Sequence, residues 1–421
     1  MLPLFLCLYT PLLFVASLLL APAWILKMKK RGGFGTGLIQ RLALFRDPIH
    51  ECFQDTDYYH AVSVGEVVMA IKVIRAIQCD RPDYHAVIAV TTATGHQIAH
   101  KQLPKQTLVI YAPLDFPGLI HRTFSAFKPQ RLILVDSELW PHLLHYTQRH
   151  DIPTLVINGR ISEKSFQSFL KLKPILQRLL CHVRLVCVDG PTQVKHWSTL
   201  GAPHVQDVGS LKFDVHASSD QPPVDFVSQL SALGGSGPVI LIASTHAKEE
   251  HALVQEILKV HSPYRLLIAP RHAERRDEVV QDLSAIGVRT CLRSNFTPPH
   301  TPEQHALLLD TTGELASWMN LADIVIIGKC WLKSGGQNPF ESIASGRLTI
   351  TGPAMKNFEP LISEVITAGG CISLDSHLEL SSTLTELFQS PSNADAIASI
   401  GKEFLRSKSG ATDKTAQLLL P

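Results

Sequence analysis

The chain has 421 residues, 45% of them hydrophobic and 18% charged, with a net charge of +2. That length allows two domains with cores of their own, and so small a charge, with no basic run threaded by aromatics, excludes the usual nucleic-acid binder. Eight cysteines are scattered without a C-x-x-C pair and the twenty histidines stand mostly singly, so buried reduced thiols are expected, and no metal.

Residues 2–26 are almost wholly apolar and long enough to cross a bilayer. No lysine or arginine precedes them, whereas Lys27, Lys29, Lys30 and Arg31 follow, which puts the body of the protein on the cytoplasmic side. A cleaved signal peptide would carry a basic segment ahead of the apolar run. Residues 1–31 are therefore read as a membrane anchor with a basic collar that spans the bilayer. Pro3, Pro11 and Pro22 keep open a monotopic helix that dips into one leaflet. Gly32, Gly33, Gly35 and Gly37 follow without a leading strand, so they are not a dinucleotide loop. With Arg41 and Arg46 they read as a juxtamembrane segment against anionic lipid.

From Tyr58 onward, apolar runs alternate with helical patterns, which means parallel, doubly wound sheets. The first half, residues 32–212, offers strands at Tyr58–Val62, Ala86–Thr91, Thr107–Tyr111, Arg131–Val135, Thr154–Ile157, Leu185–Val188 and Val205–Val208. Helices are expected over 66–78 and 162–179, among others. A polar linker, residues 213–223, separates it from a second half, residues 224–421. There the strands are Val239–Ala243, Arg265–Ala269, Ala306–Leu309, Ile324–Ile327, Leu348–Thr351 and Cys371–Leu374. One or two amphipathic helices close the chain over Asn393–Leu420. Two α/β halves of similar size favour a substrate cleft between them.

Chemistry is expected at the carboxyl ends of the strands. Glu66 opens a helix after the first strand, in Ser63-Val64-Gly65-Glu66. It is either a fixed, ionised general base or simply part of a helix start capped by Ser63. Glu138 follows Arg131–Val135, Asp115 and Arg160 follow two more strands, and Lys212 begins the linker. For Glu138 and Lys212 a surface charge or an interdomain ion pair is an equal alternative. In the second half Pro270-Arg271-His272, Thr311-Thr312-Gly313-Glu314-Leu315 and Ser334-Gly335-Gly336-Gln337-Asn338-Pro339-Phe340-Glu341 share one sheet edge. Glycines and helix starts suit a phosphate, Arg271 can pair with one, and Asn338, Glu314 and Glu341 can bind sugar hydroxyls or a base amine. Together they describe a sugar-nucleotide pocket.

Seven motifs in this order, His60-Ala61-Val62-Ser63-Val64-Gly65-Glu66, Asp115-Phe116-Pro117-Gly118, Ser137-Glu138-Leu139-Trp140-Pro141, Asn158-Gly159-Arg160, Pro270-Arg271-His272, Gly313-Glu314-Leu315 and Gly335-Gly336-Gln337-Asn338-Pro339, resemble the 3-deoxy-D-manno-octulosonic acid (Kdo) transferases, glycosyltransferase family 30. The resemblance implies a GT-B fold, two Rossmann-like doubly wound domains facing a cleft, behind an N-terminal anchor helix at the inner membrane. It implies an inverting, metal-independent transfer of Kdo from CMP-Kdo to a lipid A precursor in lipopolysaccharide synthesis. No cofactor or nucleic acid takes part, and the anionic membrane surface is a partner. Glu66 would be the base, and Glu138 and Lys212 would stabilise the transition state. Pro270, Arg271, Thr312, Gly313, Glu314, Asn338, Pro339, Phe340 and Glu341 would bind CMP. The last helices would pack back on the first domain. Gln337 and Thr312 stand where the family often has His and Met, which leaves acceptor contacts and the number of Kdo units open. A membrane-surface GT-B transferase using a UDP-sugar, or a non-catalytic nucleotide-binding scaffold, are the other readings.

Overall fold

The computed structural model describes residues 2–31, 34–45, 52–214, 223–298 and 305–420. Gly32, Gly33, Arg46 and residues 215–222 of the expected linker lie outside the described residues, as do the side chains of Lys27, Lys29, Lys30 and Arg31. The chain divides into two compact units, Met1–Asp214 together with Ser409–Pro421, and Val215–Lys408.

The first unit is built on strands β1 Asp57–Ala61, β2 Ala86–Val90, β3 Thr107–Tyr111, β4 Arg131–Val135, β5 Thr154–Ile157, β6 Val183–Val188 and β7 Val205–Asp207. They form one parallel sheet in the order β3-β2-β1-β4-β5-β6-β7. The central strands are mostly apolar because both faces are covered; the exceptions are Asp57, paired with Arg131, and the buried His60. Successive residues feed opposite cores: Tyr58, Val87, Leu132 and Leu134 pack on one side, and Tyr59, Ile88, Ile133 and Val135 on the other. On that second side the helix Val64–Asp80 buries Val67, Ile71, Ile74 and Ile77. The final helix, Ala411–Leu419, packs against it. Asp214 ties this helix down by accepting the N–H groups of Gly410 and Thr412, and Arg131 donates to the carbonyl of Leu419. The preceding helix, Pro391–Lys408, belongs to the second unit, where Gly401 meets Gly370 so closely that a Cβ would lie 2.3 Å from the Gly370 oxygen.

The second unit repeats the plan with β8 Val239–Thr245, β9 Arg265–Pro270, β10 Arg289–Leu292, β11 His305–Leu308, β12 Ile324–Ile327, β13 Leu348–Thr351 and β14 Ile372–Ser373. The parallel order is β10-β11-β9-β8-β12-β13-β14. The strand order reverses between β1 and β4 in the first unit and between β8 and β12 in the second. Ligands of open α/β sheets bind at the carboxyl ends of such strand pairs. Two sequence expectations change. The helix expected over 162–179 is two, Glu163–Leu170 and Lys173–Leu180, because Pro174 sits in the first turn of the second. The strand β10 was not expected.

A 30-residue helix, Leu2–Arg31, precedes the first sheet, and its segment Leu2–Leu26 is the one helix among the described residues long and apolar enough to cross a membrane. It nevertheless touches the first unit at a helical spacing. Leu2, Leu6 and Met28 are buried, and Phe5, Tyr9, Leu13, Ala16 and Trp24 are half-buried. Near its start the Tyr9 hydroxyl donates to Asp115 Oδ2 at 3.1 Å, and Thr10 Oγ1 lies 2.9 Å from His142 Nε2. Near its end the Arg41 guanidinium lies 5.3 Å from the Trp24 ring. Leu4, Leu8, Leu12, Phe14, Leu18 and Leu19 face outward.

Candidate active site

In the first unit the strand β1 ends at the N-cap Ser63, whose hydroxyl accepts the Glu66 N–H at 3.3 Å. Glu66 in turn accepts the Val62 N–H through Oε2 at 2.7 Å, a reciprocal cap of the kind that fixes helix starts. Glu66 therefore takes part in the helix start, and the same bond holds its carboxylate at the switch point. It is 8% exposed.

Across the switch point, β4 leads into Asp136, which holds a left-handed backbone with φ 67°. Such a conformation in a non-glycine residue costs about 1–3 kcal/mol and clusters at functional sites. Asn158, after β5, holds φ 52° beside it. The bend carries Glu138 to a bond from the Trp140 indole N–H, 2.7 Å from Oε2. Trp140 is itself braced edge-on by the His60 ring at 4.8 Å. Burial pushes the Glu138 carboxyl above its ordinary value, the Trp140 bond pulls it back, and the charges of Glu66 and Asp136 raise it further. Burial likewise raises Asp136; the Ser137 N–H opposes this, Glu66 adds to it, and Arg160 and Lys212 draw it down.

Lys212 belongs to the same group. Desolvation and the Arg160 guanidinium lower its ammonium, while Asp136 and Asp189 support it. The Lys72 ammonium, a residue that sequence reasoning missed, donates to the carbonyls of Leu211 at 2.7 Å and Asp214 at 2.9 Å. It thereby holds the turn that carries Lys212 against the Glu66 helix. The structure thus brings Glu66, Glu138, Lys212 and Arg160 together, with Asp136 and Asp189 added. Asp115 stands apart from them as a structural group. It is buried and accepts the N–H groups of His142 and Leu143 at 3.1 and 2.9 Å, which starts the helix Pro141–Arg149.

In the second unit an open hollow of about 140 Å³ lies beyond β8, β9 and β11. Ser244, Pro270, Arg271, Thr312, Gly313 and Glu314 line it. Arg271 anchors its own N–H on the Thr245 carbonyl at 3.0 Å, and its guanidinium is exposed, with no side-chain partner among the described residues. Gly313 holds φ 87°, a turn that only glycine makes without strain.

Three of the expected groups have partners of their own within the second unit. The Glu314 carboxylate accepts Arg293 Nε at 3.1 Å and the Thr311 hydroxyl at 2.5 Å, which fixes it at the rim of the hollow. Asn338, Pro339, Phe340 and Glu341 do not line the hollow. Asn338 accepts the Phe340 N–H at 3.1 Å and donates to Glu341 at 2.9 Å, which starts the next helix. Pro339 and Phe340 are buried, the latter edge-on to Phe358. The glycine pair 335–336 does not offer its N–H groups to a phosphate, because they go to the carbonyls of Ala354 and Lys329 at 2.9 and 3.0 Å. Its missing side chains instead let the Met355 loop approach, where a Cβ on Gly336 would sit 2.5 Å from the Met355 sulfur.

Sequence reasoning also missed Ser244, His246 and Lys329 at the β8/β12 switch point. The polar run Ser244-Thr245-His246 closing an apolar strand was the available signal. Among the described residues no group of three or more His, Cys, Asp or Glu side chains is placed to hold a metal ion.

Two seven-stranded parallel sheets in one chain, each with a switch point, have the GT-B architecture. The fold is shared with a glycosyltransferase from Rickettsia africae, 12% identical over 87% of this chain and 97% of that one, TM-score 0.56. It is shared also with MurG from Acinetobacter baumannii, 12% identical over 87% and 99%, TM-score 0.54. Residues 37–215 match the family model described as 3-deoxy-D-manno-octulosonic-acid transferase. The 3-deoxy-D-manno-octulosonic acid transferases of Haemophilus influenzae and Bordetella pertussis are each 28% identical, over 86% of this chain and 86% of their own. The chain is thus similar to the Kdo transferases over most of its length, and its first unit matches their family model.

Proposed function

We propose that this protein is a Kdo transferase that takes Kdo from CMP-Kdo and places it on a hydroxyl of a lipid A precursor of the lipid IVA type, with inversion and without a metal. The observation that carries this reading is the Glu66 carboxylate, fixed through Oε2 by the Val62 N–H and left with Oε1 to accept a proton. Glu66 removes the acceptor proton as the acceptor oxygen bonds to the anomeric carbon. The bond from that carbon to the phosphate oxygen breaks, and CMP leaves with the electron pair. Arg271 and the Thr312–Glu314 backbone receive the departing phosphate, so its charge is met by protein groups. Lys212 and Glu138 steady the charge that moves between them. Asn338 and Glu341 act on the nucleotide through the helix start they build.

Calorimetry with CMP and UDP tests the donor. CMP binds more tightly than UDP, and Arg271→Ala weakens CMP by about 10- to 100-fold, the worth of one charge-assisted contact to phosphate. UDP binding the more tightly would replace this reading with a UDP-sugar transferase.

For the membrane, the same reading places the protein body at the cytoplasmic face against anionic lipid, with the helix Leu2–Arg31 lying in one leaflet. A helix crossing the bilayer carries its first residues away from the body. What supports the monotopic placement is the contact of Tyr9 with Asp115 and of Thr10 with His142, with an outward face of leucine. A protease-sensitive tag ahead of Met1 is then cut only from the cytoplasmic side of membrane vesicles. Cleavage from the outer side of spheroplasts would show a spanning helix.

A further inference from the structure

The β8/β12 switch point holds cationic groups that the CMP-phosphate contact does not use. One buried carboxylate draws the two strand ends together. Glu249 Oε2 accepts the N–H groups of His246 at 2.9 Å and Lys329 at 2.7 Å, and Oε1 accepts that of Trp331 at 3.2 Å. The approach is close enough that a Cβ on Gly328 would lie 2.6 Å from the Thr245 Cα. Two non-glycine residues, Ser244 at φ 59° and Lys329 at φ 61°, hold left-handed backbone to make the junction. Ser244 also lines the hollow beside Arg271.

The charges that emerge are the Lys329 and Lys333 ammoniums, beside a His246 ring that burial holds below its ordinary value. His246 Nε2 lies 3.2 Å from the Gln337 amide nitrogen. The ring of His272, the neighbour of Arg271, stands edge-on to it at 6.0 Å, with the exposed Glu274 carboxylate 3.6 Å from the far side of that second ring. Lys329, Lys333 and His272 add to that lowering, and among the described residues Glu249 is the carboxylate that opposes them. Both Glu249 oxygens are already taken by backbone N–H groups, so little of that charge is left to answer the cations. A surplus of positive charge at a strained junction, beside a guanidinium facing a phosphate pocket, points to a second anion.

We propose that His246, Lys329 and Gln337 form a carboxylate subsite next to the Arg271 phosphate site, and that it binds the sugar carboxylate of the donor. This rests on the CMP-Kdo reading above. In an activated ulosonic acid the carboxylate and the phosphate oxygen are attached to the same anomeric carbon, so two neighbouring anion sites are needed to hold that carbon still. A neutral hexose donor has no group to place there.

The test uses the full-length enzyme and the separate variants Lys329→Gln and His246→Gln, with CMP and freshly made CMP-Kdo as probes. The expected result is a rise of about tenfold or more in KM for CMP-Kdo, from a lost charge-assisted contact. The CMP dissociation constant stays within about twofold and the melting temperature is unchanged, whereas Arg271→Ala weakens both ligands. If CMP affinity falls in step with KM, the two residues serve the phosphate and the proposal is overturned; it is overturned also if neither quantity moves. CDP binding more tightly than CMP in a Lys329-dependent way would assign the subsite to a second phosphate instead. If the unmodified enzyme does not bind CMP at all, the donor reading itself has failed, and that is seen before any variant is made.

Discussion

Glu66→Gln lowers the rate of Kdo transfer by about a thousandfold, within the usual 10²–10⁴ contribution of a positioned general base. The loss falls on kcat, with CMP affinity unchanged. The amide is a close match in shape, and its oxygen can still accept the Val62 N–H that Glu66 now holds at 2.7 Å. The Ser63 hydroxyl still caps the Glu66 backbone N–H. The helix Val64–Asp80 therefore starts where it does now, and the melting temperature moves little. This separates the two roles that sequence left open. A group needed only to start the helix gives a variant with lower stability and near-normal turnover per folded molecule; a base gives the reverse. The measurement is a single-turnover assay with a parallel thermal melt.

The second large effect is on structure. Glu249→Ala removes the acceptor of three N–H groups at a site with 0% exposure. Each buried donor left without an acceptor costs about 1–3 kcal/mol, so the local loss is about 3 kcal/mol or more. Two units make a single global unfolding energy a poor readout. Hydrogen exchange reads it locally: the amides of His246, Lys329 and Trp331 exchange faster by about a hundredfold or more, as the junction between β8 and β12 opens. Because Arg271 donates its own N–H to the Thr245 carbonyl on the same segment, CMP affinity falls as well. Unchanged exchange at those amides would mean that Glu249 does not hold the strand ends together.

What the sequence showed follows from how local each signal is. Strands β3, β4, β5, β12 and β13 were legible to the residue because each is a short, largely buried run dominated by aliphatic and β-branched residues. The edge strand β10 was not: it begins at the exposed Arg289 and none of its residues is fully buried, so it lacks the apolar run. The start of the Glu66 helix could be read because its cap lies within four residues. The Arg293 partner of Glu314 could not, since it is 21 residues away. The junction of His246 with Lys329 depends on Glu249, 80 residues from Lys329 along the chain. In the first helix, apolar residues on every side hid the stripe that packs against the first unit. Outward Leu8 and inward Leu6 are the same residue type, and only the fold distinguishes them.

The most direct measurement is transfer itself, followed by mass spectrometry on the purified chain with a tetra-acylated lipid A precursor and freshly made CMP-Kdo. The acceptor becomes heavier by whole Kdo residues, with one CMP released for each. An acceptor of unchanged mass beside intact CMP-Kdo, in a preparation that consumes a UDP-sugar, would contradict the proposed transfer.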